Sequence, residues 1–195
     1  MIKKNQIDWG YYNPKELLDL GFKIIGKDVK IAKRSTIVGS DKISIGNNVR
    51  IDDFVTIICT EGYLKIGNHI HIGSHSHIAC GGGVILNDFC GLSQGVKIYS
   101  TSDDYSGQSL TNPTIPKEFL SIKKKSINIG KHVIVGSGSV ILPDVSIGEG
   151  SCVGALSLVN KSLESWNMYF GSPVKKIGNR KKDLLKMEQK LLKKL

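Results

Sequence analysis

Four of the chain's five histidines, His69, His71, His75 and His77, fall inside NHIHIGSHSHIAC at residues 68–80. Imidazoles this close serve one of two chemistries. They ligate a transition metal, or one of them takes a proton near neutral pH, where the free side chain titrates at about 6.5. The choice depends on where the backbone sends each ring, and so on the elements that carry them.

Those elements show as a period. An aliphatic residue recurs every six positions: Ile25, Ile31, Ile37; Ile45, Ile51, Ile57; Ile66, Ile72, Ile78; Leu86, Leu92, Ile98; then, after a gap, Ile129, Val135, Ile141 and Ile147, Val153, Val159. All are Ile, Leu or Val, and small or aliphatic residues such as Val49, Val55, Ser76, Val96 and Ser139 sit four positions later. A period of six matches neither a 3.6-residue helix nor one long alternating strand. It predicts a coil of three short strands, with Gly, Asn and Asp at the corners. Such coils cannot be stable singly and bury their aliphatic rows on each other. Six can be counted.

The period decides how the histidines point. His69 and His75, like His71 and His77, are six apart and therefore lie on successive faces. Neither pair converges on one ion within a subunit, although a metal shared between subunits stays open. His69, His75 and His132 fall at corners and are expected to face solvent. His71 and His77 each precede an inward aliphatic residue and should project from a flat face.

Residues 99–128 break the period with a long segment, YSTSDDYSGQSLTNPTIPKEFLSIKKKSIN. A loop of this length on a rigid scaffold is usually functional. It leaves the coil after Ile98, one coil from His77, which brings Asp103 and Asp104 into reach of that ring. Ahead of the repeat, NPKELLDLG reads as a short helix capped by Asn13, with Pro14 at its first position and Glu16 closing a capping box. After it, Lys and Arg far outnumber the two acids, Asp183 and Glu188, in a tail read as a basic helix packed by its leucines. The organisation is a cap at 1–24, a coil domain at 25–170 and a C-terminal extension at 171–195.

The net charge of +10 implies an anionic partner. No aromatic residue interrupts the basic tail, which argues against nucleic acid. No apolar run is long enough for a membrane span, and the first twelve residues lack a signal peptide's apolar centre. Four scattered cysteines without a CxxC pair suggest reduced thiols and a cytoplasmic setting.

The repeat over residues 25 to about 178 resembles the hexapeptide-repeat acyltransferases. The resemblance implies an all-β fold, a left-handed parallel β-helix, and a homotrimer with sites between subunits. It implies transfer of an acetyl group from acetyl-CoA to a hydroxyl or amine of a sugar or nucleotide sugar, without a metal. Compared with galactoside and maltose acetyltransferases, VGSGS (135–139) and VGALSLVNK (153–161) match donor-binding corners. That assigns Ser137, Ala155, Asn160 and Lys161 to coenzyme contacts. GSPVKKI (171–177) matches the family's exit motif and assigns Lys175 to the coenzyme phosphates, with Lys176 and Arg180 beside it. The family's base histidine would fall at Asp103, so the base is Asp103 or Asp104, or it comes from elsewhere, or the acceptor is an amine that needs little beyond positioning. The preferred arrangement has His77 as base and Asp103 or Asp104 orienting its ring. Two other readings stay open: a non-catalytic β-helix scaffold, and a zinc enzyme of the carbonic anhydrase-like branch.

Overall fold

A computed structural model describes residues 9–194. The basic start of the chain (residues 1–8) and Leu195, counted above in the cap and the tail, lie outside the described residues. Residues 24 to 159 wind through three parallel sheets in strict rotation. The first sheet opens at Ile24–Ile25 and the third at Thr36–Val38, each with six strands; the second opens at Lys30–Ile31 and has eight. The register is uniform: Ile51 pairs with Ile31 and Ile72, and Ile98 with Ile78 and Ile141. This is the parallel β-helix that the period predicts.

Packing follows from that register. Ile31, Ile51, Ile57, Ile72, Ile78 and Ile98 are fully buried, each lying over its counterparts in adjacent coils. Ile25 and Ile37, in the first coil, are only partly buried, whereas Ile31 of that coil is covered by the segment around Tyr12, whose N–H donates to Ile31 O at 2.9 Å. Helix α1 (Pro14–Asp19) covers that end with Leu17. Its capping box forms as expected: Asn13 Oδ1 accepts from Glu16 N at 3.0 Å, and Glu16 Oε2 from Asn13 N at 2.7 Å. At the other end, Asn167–Phe170 joins the second sheet and Lys175–Asn179 returns antiparallel to it. The expected boundary at 170 therefore falls at the turn of a hairpin, whose second strand still belongs to the sheet.

The corners differ from the expectation that Gly, Asn and Asp supply the backbone freedom. Between the first and second sheets the left-handed position is held by Asp28, Asn48 and Gly150, as expected, but also by His69, Phe89, His132 and Trp166, all with φ between 54° and 69°. A bulky residue there costs about 1–2 kcal/mol. Ring stacking offsets part of this, at about 0.5–1.5 kcal/mol per aromatic pair. His69 stacks on Phe89 at 4.7 Å, and Phe89 on His132 at 5.1 Å. His69 and His132 are thus structural rungs. His132 is buried rather than solvent-facing, because α2 (Leu184–Leu192) closes over it. Glu188 of that helix meets His132 Nε2 at 2.8 Å and Lys131 Nζ at 2.5 Å.

Candidate active site

The corner between the second and third sheets carries Ser93, Gln94, Ser137 and Ala155. At each corner the backbone N–H groups just past the strand need acceptors. At the first–second corner, side chains consume these donors: Asn47, Asn68 and Asp88 accept from the N–H groups of Lys27, Asn47 and Asn68 at 2.7–2.8 Å. At the second–third corner no side chain does the same. The N–H groups of Asp53, Ser74, Gln94, Ser137 and Ala155 have no protein acceptor among the described residues. The result is a column of open amide donors, one per coil, spaced by about 4.8 Å. Ser137 Oγ lies 3.2 Å from Gln94 Oε1, which ties two adjacent rungs together. Such a column is suited to the carbonyl and phosphate oxygens of an extended ligand.

The loop forms the second half of the site. Thr101–Ser102 pairs antiparallel with Lys123–Lys124 at its root, and Lys124 is ion-paired to Glu61. Beneath the loop lies a cavity of about 900 Å³, lined by Ala79, Tyr99, Asp103, Tyr105, Lys124 and Leu142 among others. The structure separates the two aspartates that the sequence leaves equivalent. Asp104 turns inward and accepts from the N–H and Oγ of Ser106 and of Ser109, and from Gln108 N, at 2.6–3.2 Å. These donors, those of Ser106 foremost, hold its carboxyl far below the usual carboxylate range. It shapes the loop and is not free to orient His77. Asp103 is exposed, lines the cavity, and its carboxylate has no partner among the described residues.

His77 projects from the third sheet as expected, half-buried, with Thr56 and Lys97 beside it in register. Burial, and then the Lys97 charge, push its pKa below the ordinary histidine value, so the ring is neutral at neutral pH. It stands at the start of its strand, next to the open-donor corner, where its N–H bonds to Val96 O at 2.8 Å. The cavity opens at the other end, where Ala79 pairs with Tyr99. His77 touches the Tyr99 ring at 5.4 Å, and no hydrogen bond joins it to Asp103 or Asp104. One chain therefore does not assemble the expected pair. The remaining rings do other work: His71 binds Asp52 at 2.7 Å beside Arg50, and His75 stacks on Phe54 at 5.0 Å.

The coenzyme positions also divide. Ser137 and Ala155 are consecutive rungs of the open column. Asn160 and Lys161 are exposed at the next corner, beyond Leu158–Val159, and Lys175 is exposed on the closing hairpin. Arg180 does not join them. Its guanidinium donates to the carbonyls of His132, Gly150 and Ser151 at 2.8–3.2 Å, a structural clasp rather than a phosphate contact. Arg180→Ala is expected to lower stability by about 1–3 kcal/mol, since three carbonyls lose their donor. The Michaelis constant for acyl-CoA should stay within about twofold. Steady-state kinetics beside thermal unfolding checks this, and a raised constant at unchanged stability would put Arg180 back at the phosphates.

Residues 126–161 match the model of the bacterial transferase hexapeptide (six repeats). The chain is 43% identical over 178 residues to the dTDP-4-amino-4,6-dideoxy-D-glucose acyltransferase of Escherichia coli, covering 91% of this chain and 93% of that one. AntD, an N-acyltransferase from Bacillus cereus solved with dTDP and 3-hydroxybutyryl-CoA, is 41% identical and superposes with a TM-score of 0.91 over 95% of this chain and 97% of its own. The same enzyme has been solved with one serine replaced, and with one aspartate ten positions further on replaced. A six-residue period, a three-sided coil and likeness of this extent all lead to one conclusion: the chain belongs to the hexapeptide-repeat acyltransferases, the left-handed β-helical family.

Proposed function

We propose that this protein acylates the amine of a dTDP-linked 4-amino-4,6-dideoxy sugar, drawing the acyl group from a coenzyme A thioester. The observation that carries this reading is the unpaired Asp103 carboxylate in the loop cavity. An amine acceptor arrives mostly as an ammonium ion, with a pKa near that of an α-amino group, about 8. A free carboxylate attracts and orients that charge. The relatives that act on or bind such a sugar support the acceptor class. Their replaced serine and aspartate lie ten positions apart, and Ser93 and Asp103 are the one Ser–Asp pair with that order and spacing in this chain.

In the reaction the neutral amine attacks the thioester carbonyl, the carbon–sulfur bond breaks, and the thiolate leaves with a proton. The open N–H groups of Ser137 and Ala155 hold the pantetheine arm by its amide oxygens. Those of Gln94 and the Ser93 hydroxyl lie at the reacting end, where negative charge develops on the carbonyl oxygen. The ammonium must lose a proton before attack. Asp103 orients it, and the neutral His77 ring beside the donor column is available to receive the proton. Lys161 and Lys175 supply positive charge toward the coenzyme phosphates.

Ser93 precedes the third-sheet strand Lys97–Tyr99 and Asp103 follows it, an arrangement that favours a site shared between copies. A closed ring of three copies, with the loop of one against the donor corner of the next, supports a complete site. Coenzyme A thioesters and nucleotide sugars are both cytoplasmic metabolites, which supports a cytoplasmic enzyme. No helix among the described residues is long and apolar enough to cross a membrane.

Subunit mixing tests this reading. Ala155→Trp blocks the donor column and Asp103→Ala empties the loop, so each variant alone should be nearly inactive. Co-refolded in equal amounts, they should regain about a quarter of wild-type activity, because one interface in four then pairs an intact corner with an intact loop. Free thiol release on adding the dTDP-linked amino sugar is the readout. No regain in verified mixed trimers would mean that corner and loop act within one copy.

A further inference from the structure

The C-terminal helix is fastened by charge rather than by its leucines. Glu188 sits at the centre of its contact with the first–second corner, on Lys131 and His132. No residue of α2 is buried. On the side turned to the second sheet, Leu184, Met187 and Leu191 follow one another at helical spacing and wall a groove of about 540 Å³. Gly91 floors that groove without a side chain, and Ile134 stands across it. This flank is open to solvent: Met187 is 54%, Ile134 46% and Leu191 39% exposed.

The apolar flank is bordered by positive charge. Lys190 and Lys194 stand three residues after Met187 and Leu191, and so beside them on the helix surface. Lys181, Lys182, Lys186 and Lys193 extend the basic surface outward. All six are exposed, and none has an acidic partner among the described residues. Glu188 is already taken by the corner, which leaves Asp183 as the one acid facing them. Exposed leucine and methionine edged by unpaired lysines are complementary to an anionic bilayer. The ammonium groups meet lipid phosphates, and the apolar side chains enter the headgroup boundary. Nucleic acid would answer the lysines alone, and α2 offers no aromatic ring on which a base could stack.

We propose that the flank of α2 formed by Met187, Leu191, Lys190 and Lys194 docks this protein on an anionic lipid surface. The inference stands apart from the donor and acceptor assignments above. It is also compatible with them, because the first–second corner lies opposite the third sheet, which carries His77 and the root of the loop. A ring of copies closed through loop and donor corner leaves α2 at its outer edge. The nine residues of α2 span about 14 Å, far short of the roughly 30 Å of hydrocarbon that a crossing requires. The helix therefore rests on the surface, and the attachment is reversible.

The test is co-sedimentation with vesicles of phosphatidylcholine alone and of phosphatidylcholine mixed with phosphatidylglycerol. Wild type should bind the mixed vesicles and not the neutral ones, and added salt should weaken the binding. Lys190→Gln with Lys194→Gln should lower affinity by about 25-fold, at about fivefold per lysine. Lys23→Gln with Lys65→Gln makes the same charge change on and beside the first sheet and should leave affinity within about twofold. Met187→Ser with Leu191→Ser should lower vesicle affinity by about tenfold without changing binding of a single-stranded oligonucleotide. Coenzyme A affinity within about twofold of wild type in every variant reports that each is folded. Absence of binding to the mixed vesicles overturns the inference. Equal losses in the two lysine pairs would assign the attraction to net charge rather than to α2, and also overturn it. An oligonucleotide bound as tightly as the vesicles, with the serine pair silent toward both, would make α2 a general polyanion surface and overturn the lipid assignment.

Discussion

Asp103→Ala lowers kcat/KM for the nucleotide-linked amino sugar by about 100-fold at pH 7 and much less at pH 9. The size follows from the usual contribution of a positioned acid–base group, about 10²–10⁴-fold. The pH trend follows from the substrate. Below about pH 8 the amine carries a proton, and a carboxylate is needed to gather and orient the cation. Above that pH much of the amine is already neutral, and the variant loses less. Asp104→Ala should behave otherwise. It removes the acceptor that five loop groups share, so the Michaelis constant rises and the loop becomes protease-sensitive, with no recovery at high pH. His77→Ala should cost about 100-fold in turnover, since water accepts the proton less efficiently. Initial rates across pH 6–9 for the three variants separate these roles. An Asp103 variant within twofold of wild type at every pH would remove that carboxylate from the reaction.

Ile72→Ala destabilises the protein by about 2–5 kcal/mol, whereas Ile25→Ala costs about 1 kcal/mol. Both residues belong to the same aliphatic series. Ile72 is fully buried, with Ile51 on one side and Leu92 on the other. Its truncation opens a cavity that neither neighbour can fill, because each is held by its own coil. Ile25 has Ile45 on one side and only α1 and its flanks on the other. In a stack where stability passes between adjacent units, loss of a central contact weakens both halves. At about 2–4 °C per kcal/mol for a chain of this size, Ile72→Ala should lower Tm by about 10 °C. Calorimetric melts of the two variants check the difference. Equal shifts would mean that the ends of the stack are as tightly coupled as its middle.

Most of the fold is legible in the sequence because one rule repeats. Six-residue spacing gives each residue its face and its coil, and from Ile31 to Val159 the buried rows follow it at every position but Ile37. The corners are less legible. Asn and Asp at Asn48 and Asp28 announce a left-handed backbone, but Phe89, Leu156 and Trp166 adopt it too. The cost at Phe89 is offset by His69 and His132, each a full coil away, which no local pattern records. The site is legible to the same depth. Counting six places His77 outward and one coil from the loop, and both hold. It does not tell which end of a three-residue strand faces the cavity. Nor does it separate Asp103 from Asp104, since adjacent identical residues differ only in which finds five donors. Ser93 goes unnoticed because serine is common at these corners. Its spacing from Asp103 becomes informative only beside the altered positions in a relative.

A β-helix also imposes arithmetic on the molecules it holds. Along the open-donor corner every rung is one translation from the last, so reach is quantised in steps of about 4.8 Å. Side-chain changes alter what a rung recognises without changing where it stands. Loop changes, as at residues 99–128, alter the chemistry at one level and leave the spacing of all others untouched. A longer or shorter ligand along this corner calls for a whole coil to be gained or lost, roughly eighteen residues at a time. The scaffold is in that sense a graduated scale: its divisions are set by backbone hydrogen bonds, and selection can renumber them but not move them.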